Sequence, residues 1–412
     1  MDYYSRDNCR LCKSKNITKL FSLEPTPPAN AFVKKDNFGV EQPCYPLDLF
    51  LCDDCFHVQL NTVVNPEILF KDYVYVSGTS PSFILHFENY ALNVINRLNL
   101  GKNSFIIDVG SNDGTLLSKF KNFGMNVLGI DPATEIARVA NENGVETLNK
   151  YLNEDVVEKV IELKGPADVI CANNVFAHID DLIGTVNNIK NLLKENGVFI
   201  FEVSYLVDVY EKTLFDMTYH EHLAYHSIRP LIKFFRNNDL ELFDVERIPT
   251  HGGSIRGFVQ KTNGVNKIMP KVNELLCYEN KLKLSKSNTY EKYFDNIEIK
   301  RNQLTKLLKT ILNDSKVIAG YGAPAKATTL MHHFGLDSTV IKYIIDDSPL
   351  KQGMFTPGLH VPVYDRSKLY NDLPDYVIIL AWNFSKNIIS NNVKYSKLGG
   401  KFIVPLPTLK VI

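Results

Sequence analysis

The sequence has no excess of either charge and no long apolar run. Its 412 residues include 46 Lys and Arg against 46 Asp and Glu, so we expect no broad basic surface for nucleic acid. No apolar run reaches the roughly 18 residues that a membrane-spanning helix needs. The N-terminal MDYYSRDNCRLC lacks the basic and then apolar pattern of a signal peptide. We therefore expect a cytoplasmic protein with neither membrane nor nucleic acid as a partner, and its oligomeric state stays open, a monomer included.

Cysteine is scarce as well, with 7 residues in the chain, which excludes a small disulfide-stapled scaffold. The chain is too long for one ordinary core and predicts two or three domains. Five of the seven cysteines lie within residues 1–65, a stretch whose sequence predicts mostly loops. In a reducing compartment, paired cysteines indicate a metal site.

Four of these cysteines form two Cys-x-x-Cys knuckles, Cys9 with Cys12 and Cys52 with Cys55. Two intervening residues allow both thiolates of a knuckle to point at one tetrahedral ion. Four protein ligands leave no open position for water, so the pattern predicts a structural zinc site. Four unrelated buried cysteines are the alternative. Cys44 and His57 are spare candidates that the pattern does not need.

Strand-like and helix-like segments alternate from Ser104 onwards. Helical segments separate the strands SFIIDVG, NVLGID, ADVICANNV and GVFIFEV, and LELFDVERI and SIRGFVQK follow as closing strands. This alternation predicts an α/β fold with a parallel, doubly wound sheet. Residues 268–313 predict two charged helices, and a second, smaller α/β alternation begins at Lys316. We predict three domains, at 1–65, at 66–265 with a connector over 66–103, and at 266–412.

A glycine-rich loop, running from Asp108 through Gly110 and Asp113 to Gly114, follows the first of these strands and opens a helix. Glycines allow a cofactor to approach the backbone closely. Asp131 ends the next strand, where a carboxylate can accept hydrogen bonds from both ribose hydroxyls of an adenosine. This arrangement serves NAD as well as S-adenosylmethionine (SAM), but the loop lacks the G-x-G-x-x-G spacing that suits a pyrophosphate.

The acids around this loop favour SAM over NAD. Asp108 and Asp113 suit the ammonium group of SAM and would repel a pyrophosphate. Together with Asp131 and the strand-end pair Asn173-Asn174, the loop predicts a SAM site. A plain strand-to-helix turn with ordinary capping residues is the alternative.

A cluster of polar residues, Tyr219-His220-Glu221-His222, comes after the strand that ends near Glu202. Ligands bind beyond the carboxyl ends of parallel strands in such folds. Histidine can take a proton near neutral pH, glutamate can orient it, and tyrosine can hold an oxyanion. A solvated loop with two surface histidines is the competing interpretation. His251, in the sequence HGGS, is a second candidate wall of the site or else part of a glycine hairpin turn.

A second glycine loop, Gly320-Tyr-Gly322-Ala-Pro-Ala-Lys326, also follows a strand and opens a helix. The helix N-terminus can hold a phosphate, and Lys326 can add charge. Asp346 and Asp347 end the next strand. The third glycine of a dinucleotide site is absent, and the phosphates of a nucleotide sugar fit equally well. A plain turn with a solvated lysine is the alternative.

Taken in order, the motifs resemble those of the bacterial sugar C-methyltransferases that act on nucleotide-linked keto sugars. The matching segments run over almost the whole chain: CRLC, CDDC, YVYVSGTS, DVGSNDG, GIDPA, CANNVFAHIDD, YHEHLAY, HGGS, GYGAPAKA and IIDDSPLKQG. The resemblance implies an N-terminal zinc domain, a central class I SAM-binding domain and a C-terminal Rossmann-like domain. It also implies that the last two domains flank the sugar nucleotide.

The resemblance assigns roles residue by residue. It implies that Cys9, Cys12, Cys52 and Cys55 hold zinc, and that the SAM site is lined by Gly110, Asn112, Asp131 and Asn173. Residues near the reacting sugar would be Tyr75, His178, Tyr219, Glu221 and His222, with His222 as the base. Substrate contacts are expected from His251, Gly322, Lys326 and Asp347.

The expected reaction is C-methylation beside a ketone. His222 would remove a proton from the carbon next to the carbonyl, Tyr219 or Tyr75 would hold the enolate oxygen, and the carbon would attack the methyl of SAM. Three alternatives stay open: an O-methyltransferase of a sugar nucleotide, an NAD-dependent dehydrogenase or epimerase, and a zinc-knuckle binding protein without activity. The zero net charge and the Tyr-His-Glu-His cluster argue against the last of these.

Overall fold

The structure, a computed structural model, describes residues 2–70 and 81–412, without the side chains of 81 and 82. Tyr75 and the tyrosine-rich segment around it lie outside the described residues. The fold is mixed α/β, as predicted, with a parallel sheet in the central part and another in the C-terminal part. None of the helices in the described ranges is both long and apolar enough to cross a bilayer.

The N-terminal part combines five strands with the loops that the sequence predicts, since strands account for less than half of residues 2–65. Residues alternate between buried and partly exposed along the strand YPLDLFLC, because one face of a strand packs on the core while the other faces outwards. The strands are β1 Tyr3–Ser5, β2 Ile17–Thr26, β3 Tyr45–Cys52, β4 Val58–Leu60 and β5 Thr62–Val64. Strands β2, β3 and β4 pair antiparallel in that order, and β1 pairs with β5.

The central part holds a seven-stranded sheet in the order β12-β13-β10-β9-β6-β7-β8. Its parallel strands are almost wholly buried and apolar, as in FIIDV, because helices cover both faces. The strands are β6 Phe105–Val109, β7 Asn126–Ile130, β8 Thr147–Leu148, β9 Ala167–Asn173, β10 Leu193–Ser204, β11 Ala224–Tyr225, β12 Leu240–Ile248 and β13 Ser254–Lys261. The predicted closing strands β12 and β13 are antiparallel, as expected.

The helices of this half of the chain follow the predicted alternation. They are α1 Pro66–Phe70, α2 Pro81–Leu98, α3 Thr115–Asn122, α4 Thr134–Glu142, α5 Glu154–Lys164, α6 Leu182–Leu192, α7 Leu206–Lys212 and α8 Ile228–Arg236. Asn153 and Asp181 begin α5 and α6 by accepting backbone N–H groups with their side chains.

Strand β11 leaves the central sheet and joins the N-terminal one. Ala224 pairs with Gln59, and Tyr225 pairs with Val58, so β11 is the edge strand next to β4. The N–H of Leu60 also donates to the carbonyl of Leu223 at 3.0 Å. The segment that carries the polar cluster 219–222 is therefore attached to the zinc-knuckle region.

The C-terminal part contains a six-stranded sheet in the order β16-β15-β14-β17-β18-β19, parallel except for β19. The two predicted helices precede it. The elements are α9 Pro270–Leu282, α10 Ser287–Asn313, β14 Ile318–Tyr321, α11 Ala325–Phe334, β15 Ile344–Ile345, β16 Val363–Tyr364, α12 Ser367–Asp372, β17 Tyr376–Ile379, α13 Ser385–Asn391, α14 Val393–Lys397, β18 Lys401–Val404 and β19 Lys410–Val411.

The three parts pack on one another. A single hydrophobic cluster includes Leu49, Phe201 and Ile344, one residue from the largest sheet of each part. Val33 and Phe355 exchange two backbone hydrogen bonds of 2.9 Å, which join the N-terminal and C-terminal parts. This packing holds the three parts of the chain against one another.

Candidate active site

The first glycine loop connects β6 to α3, and its own packing requires glycine. Gly110 has a φ of 71°, and a Cβ there would lie 2.3 Å from Val175 Cγ2. Gly114 has a φ of 76°, and its Cβ would lie 2.9 Å from Val145 Cβ. Other residues are strained at such φ values, and their Cβ atoms would clash with the side chains of these two valines. These glycines therefore let the loop lie tightly on the sheet edge.

Asp131, at the end of β7, holds this loop in place. Its Oδ2 accepts from the N–H of Asn112 at 2.8 Å, and its Oδ1 accepts from the N–H of Ala133 at 2.9 Å. Burial raises the pKa of Asp131, while the two backbone hydrogen bonds lower it. Each carboxylate oxygen keeps a further lone pair, so ribose hydroxyls can be accepted beside the backbone contacts.

Several buried polar atoms at this sheet edge have no hydrogen-bond partner within the described ranges. They are Oδ1 of Asp108, Oγ of Ser111 and both amide atoms of Asn173. Burial, with the nearby Asp131 as a second cause, raises the pKa of Asp108 well above its usual value. Buried polar groups without partners indicate a missing ligand. The carboxyl group of Asp108 can pair with the ammonium group of SAM, and the amide of Asn173 can bind its polar atoms. These atoms therefore fit SAM, as the sequence predicts.

His222 follows the 3₁₀ turn Phe215–Met217 and is fixed in one tautomer. Its Nδ1 lies 2.7 Å from the carbonyl oxygen of Met217. Because a carbonyl only accepts, Nδ1 must carry the proton and Nε2 has a free lone pair. Burial lowers the pKa of His222 to about 4, with the Met217 carbonyl opposing this and His251 adding to it. The imidazole is therefore neutral at pH 7 and can accept a proton.

Tyr219 and two more imidazoles surround His222. The rings of Tyr219 and His222 have centroids 4.1 Å apart, and the ring of His178, on the loop after β9, lies 5.1 Å from His222. Burial first, then the nearby His222 and His251, keeps the pKa of His178 well below its usual value. The interpretation of residues 219–222 as a solvated loop is wrong, because Tyr219 is only 9% exposed.

His251 lies on the turn between β12 and β13, so the interpretation of HGGS as a turn is confirmed, and the role of His251 as a wall of the site stays a prediction. It has a φ of 54°, its Nε2 is buried without a described partner, and its ring lies 5.2 Å from that of Phe83 on α2. Burial lowers the pKa of His251 to about 4, with the charge of Lys326 as a second cause. The turn thus brings a third imidazole towards His178 and His222.

His220 and Glu221 face the N-terminal part of the chain. His220 Nε2 lies 3.2 Å from the carbonyl oxygen of Tyr45, and Glu221 Oε1 accepts from Asn30 Nδ2 at 2.8 Å. Both side chains are buried, with exposures of 0% and 3%. Glu221, the residue before His222, is therefore held by Asn30 of the N-terminal part.

The second glycine loop connects β14 to α11 and contacts the two acids that follow β15. Gly322 has a φ of 83°, and a Cβ there would lie 2.4 Å from that of Ala381, so the loop requires glycine for packing. Asp347 is exposed and accepts from the hydroxyl of Tyr321 at 3.2 Å. Asp346 instead accepts from the N–H of Ala323 at 2.6 Å, as Asp131 does in the first loop.

Lys326 is buried and points at the central part of the chain, so the alternative of a solvated lysine is wrong. Its Nζ lies 3.6 Å from Asp216 Oδ2 and 3.7 Å from the centroid of the Trp382 ring. Asp216 Oδ2 also accepts from Trp382 Nε1 at 2.5 Å. Lys326 Nζ has no hydrogen-bond partner among the described residues. Sequence reasoning missed Asp216 and Trp382, which no motif marks.

A further ion pair missed from the sequence supports the sheet edge. Glu202, at the end of β10, accepts from His86 Nε2 at 2.9 Å and from Arg256 Nε at 2.7 Å. Burial alone would raise the pKa of Glu202, but His86 and Arg256 lower it. His86 lies on α2 at ordinary helical spacing, so nothing in the sequence distinguishes it.

The four cysteines of the two knuckles converge. All four Sγ atoms lie within 4.8 Å of one another, with Cys9 to Cys55 and Cys12 to Cys52 at 3.5 Å. Zn–S bonds of about 2.3 Å in a tetrahedron place sulfurs about 3.8 Å apart, which this cluster matches. Cys44 is exposed and outside the cluster. The residues therefore fit a structural zinc ion.

Family models match three consecutive parts of the chain. A zinc binding domain matches residues 9–70, a methyltransferase domain matches 85–245, and a C-methyltransferase C-terminal domain matches 249–407. C-methyltransferase NovU from Streptomyces niveus is 33% identical over 406 residues, which are 98% of this chain and 97% of that protein. The chain belongs to this C-methyltransferase family.

More distant relatives match the central part of this C-methyltransferase. A ubiquinone biosynthesis O-methyltransferase from Colwellia psychrerythraea is 30% identical over 194 residues, 43% of this chain and 75% of that protein. A SAM-dependent methyltransferase structure from Clostridium acetobutylicum superposes with a TM-score of 0.36 at 15% identity, over 43% of this chain and 92% of that one. The family models and the match to NovU identify the protein as a SAM-dependent methyltransferase with an N-terminal zinc-binding domain.

Proposed function

We propose that this C-methyltransferase methylates the carbon next to the carbonyl of a nucleotide-linked keto sugar. The observation that carries the proposal is the 2.7 Å distance between His222 Nδ1 and the Met217 carbonyl oxygen, because Nδ1 must then donate and Nε2 is the nitrogen that can accept a proton. A carbon acid needs such a base, since a C–H bond beside a ketone ionises slowly unaided. General base catalysis contributes about 10²–10⁴-fold.

The residues of the site suit enolate formation. His222 Nε2 takes the proton from the carbon, and the hydroxyl of Tyr219, whose ring packs on that of His222, donates to the developing enolate oxygen. The negative enolate beside the imidazole in turn favours the protonated form of His222. Bound SAM supplies the electrophilic methyl group. Tyr75 is a further proposed donor, and His178 a further wall of the same site.

The cofactor site is proposed at the carboxyl edge of the central sheet. Asp131 would accept the ribose hydroxyls, Asp108 would pair with the ammonium, and Asn173 with the loop residues Gly110, Asn112 and Gly114 would line the rest. The orphaned atoms of Asp108 and Asn173 support this assignment. The pyrophosphate of NAD would lie against two buried acids, which disfavours the dehydrogenase alternative.

We divide the chain into an N-terminal part at residues 1–65, a central part at 66–265 and a C-terminal part at 266–412. The substrate is proposed to lie between the central and C-terminal parts. His251 and Lys326 supply polar groups on facing elements, Gly322 lies on the loop before the helix of Lys326, and Asp347 follows the next strand, β15. An ammonium next to an indole and an imidazole suits the phosphates or hydroxyls of a sugar nucleotide. An O-methyltransferase is the second candidate, because the shorter relatives that match the central part are O-methyltransferases.

The decisive experiment is methylation of a panel of nucleotide-linked keto sugars with SAM, followed by mass spectrometry and carbon-13 NMR. We expect a new carbon–carbon bond, and in deuterated water with SAM left out we expect exchange of the acidic proton. His222→Asn should abolish exchange and methylation while S-adenosylhomocysteine still binds. His360→Asn, beside Phe38 and remote from the cluster, is the control. A methyl group on oxygen, or full methylation by His222→Asn, would overturn the proposal.

A further inference from the structure

Arg10 lies inside the first zinc knuckle, between Cys9 and Cys12, and its side chain is fully buried. Its guanidinium Nη1 donates to the carbonyl oxygen of Leu60 at 2.5 Å, and its Nε donates to Asp180 Oδ1 at 3.1 Å. A buried arginine is costly unless it is paired, so these contacts define its conformation. The knuckle therefore projects one cation into the face between the N-terminal and central parts.

Asp180 is the central-part end of this contact. Arg6 Nη1 donates to the same Oδ1 at 2.6 Å, and the hydroxyl of Tyr4 donates to Oδ2. Burial alone would raise the pKa of Asp180, but Arg10, Tyr4 and Arg6 lower it, so the group stays a carboxylate. Three residues from the N-terminal ten thus hold one acid of the central part.

The loop that ends at Asp180 carries His178, two residues earlier. The same loop also holds the segment of His222, because the carbonyl oxygen of Ala177 accepts from the N–H groups of Leu223 at 2.9 Å and Ala224 at 3.1 Å. Leu60, whose carbonyl binds Arg10, donates its own N–H to Leu223. One guanidinium therefore touches both structures that position the imidazoles of the site.

We propose that Arg10 is a positioning residue for the reaction, through which the zinc knuckle sets the placement of His178 and His222. This inference rests on the proposed role of His222. The zinc site then has a catalytic consequence in addition to its effect on folding. Arginine is required because its planar fork donates in two directions at once, which the single ammonium of lysine does not reproduce.

The test compares Arg10→Lys with a matched control in the same contact zone. Lys13, just beyond the knuckle, pairs with Asp181 at 3.8 Å across the same boundary, but both side chains are exposed. We expect Arg10→Lys to lower kcat about 10²-fold, the loss that a misplacement of about 1 Å causes. Bound zinc and the Kd for S-adenosylhomocysteine should stay at wild-type values. Lys13→Met should leave kcat, KM, bound zinc and the Kd for S-adenosylhomocysteine unchanged.

A spectroscopic readout separates this inference from the proposed function. In protein labelled with [13Cε1]histidine, the resonances of His178 and His222, assigned from His→Gln variants, should shift in Arg10→Lys and not in Lys13→Met. The effect of Asp180→Asn on these resonances should match that of Arg10→Lys, and the double variant should add nothing. Unchanged resonances in Arg10→Lys with zinc retained would overturn the positioning role. Shifted resonances without methylation of any keto sugar would overturn the proposed function alone.

Discussion

Lys326 reaches from the C-terminal part to Asp216 in the central part, with Nζ and Oδ2 3.6 Å apart. Asp216 directly precedes Met217, whose carbonyl oxygen fixes the tautomer of His222. The two residues are 7% and 0% exposed, so the charges are shielded from water. The C-terminal part therefore contacts the turn that holds the proposed base.

Replacing Lys326 by Met should weaken substrate binding and leave the affinity for S-adenosylhomocysteine unchanged. It also leaves Asp216 as an unpaired buried acid, and breaking a buried pair costs about 3–5 kcal/mol of unfolding free energy. The double variant Lys326→Met/Asp216→Asn should recover most of that stability without recovering kcat/KM. Calorimetry with a nucleoside diphosphate and urea unfolding measure the two effects. If the double variant has the kcat/KM of the wild type, Lys326 does not belong to the substrate site.

Asp131→Ala should weaken binding of S-adenosylhomocysteine by about 1.5–3 kcal/mol, the value of a hydrogen bond to a charged group. The loop at Asn112 should also loosen, because its N–H loses its acceptor. Isothermal calorimetry measures the loss. Glu135→Gln, on exposed helix surface shortly after Asp131, is the matched control and should bind as the wild type does. Tight binding of NAD, with no response to S-adenosylhomocysteine, would contradict the cofactor assignment.

Each chain should hold one zinc ion on Cys9, Cys12, Cys52 and Cys55. Cys52→Ser removes a ligand from a fully converged cluster, so zinc content and the free energy of unfolding should both fall. Cys44→Ser changes an exposed cysteine outside the cluster and should alter neither. Metal analysis by mass spectrometry and thermal unfolding decide the outcome. Zinc far below one equivalent in the wild type would refute the site.

Stability should fall as the pH drops from about 7 to 5. Burial lowers the pKa of His220 and of His226 to about 4, against an unfolded value of about 6.5. Between these pH values the unfolded chain binds more protons than the folded chain. The contribution of the neutral, buried histidines to the free energy of unfolding is therefore complete above about pH 6.5 and is lost towards pH 4. Each histidine contributes up to about 1.4 kcal/mol per pH unit. Urea unfolding at pH 5, 6 and 7.5 measures the slope.

His226→Phe provides the comparison for this pH dependence. The ring of His226 already packs on Phe176 at 5.2 Å in the core, so an aromatic side chain can occupy its place. In this variant the free energy of unfolding should change less steeply with pH, because one histidine fewer binds a proton on unfolding. A wild-type stability that does not change between pH 5 and 7.5 would show that these histidines are not buried in neutral form.

The sequence predicted the sheet segments and both glycine loops because local patterns determine them. The apolar strand FIIDV and the left-handed positions of Gly110 and Gly114 are properties of short stretches of chain. The cysteine knuckles were equally predictable, since two spaced pairs have few other uses. The substrate roles of the site residues stay predictions, as does the role of Tyr75.

The partners that join the three parts were not predictable from local patterns. Nothing near Lys326 in sequence indicates Asp216, and nothing near Arg10 indicates Asp180, because each pair is separated by more than a hundred residues. Strand β11 is only two residues long and follows directly after the polar cluster, where no alternating pattern marks a strand. Such contacts depend on how the sheets pack, which periodicity does not encode.

The pairing of β11 with β4 also has a consequence for synthesis on the ribosome. Strand β4 ends at Leu60, and its neighbour begins at Ala224. At about 5–20 residues per second, the newly made N-terminal segment waits on the order of 10–30 s with one edge of β4, the edge opposite β3, unpaired. Unpaired strand edges favour association with other chains. Fragments that stop before Ala224 should therefore aggregate, and a shortened version for expression has to extend past β11.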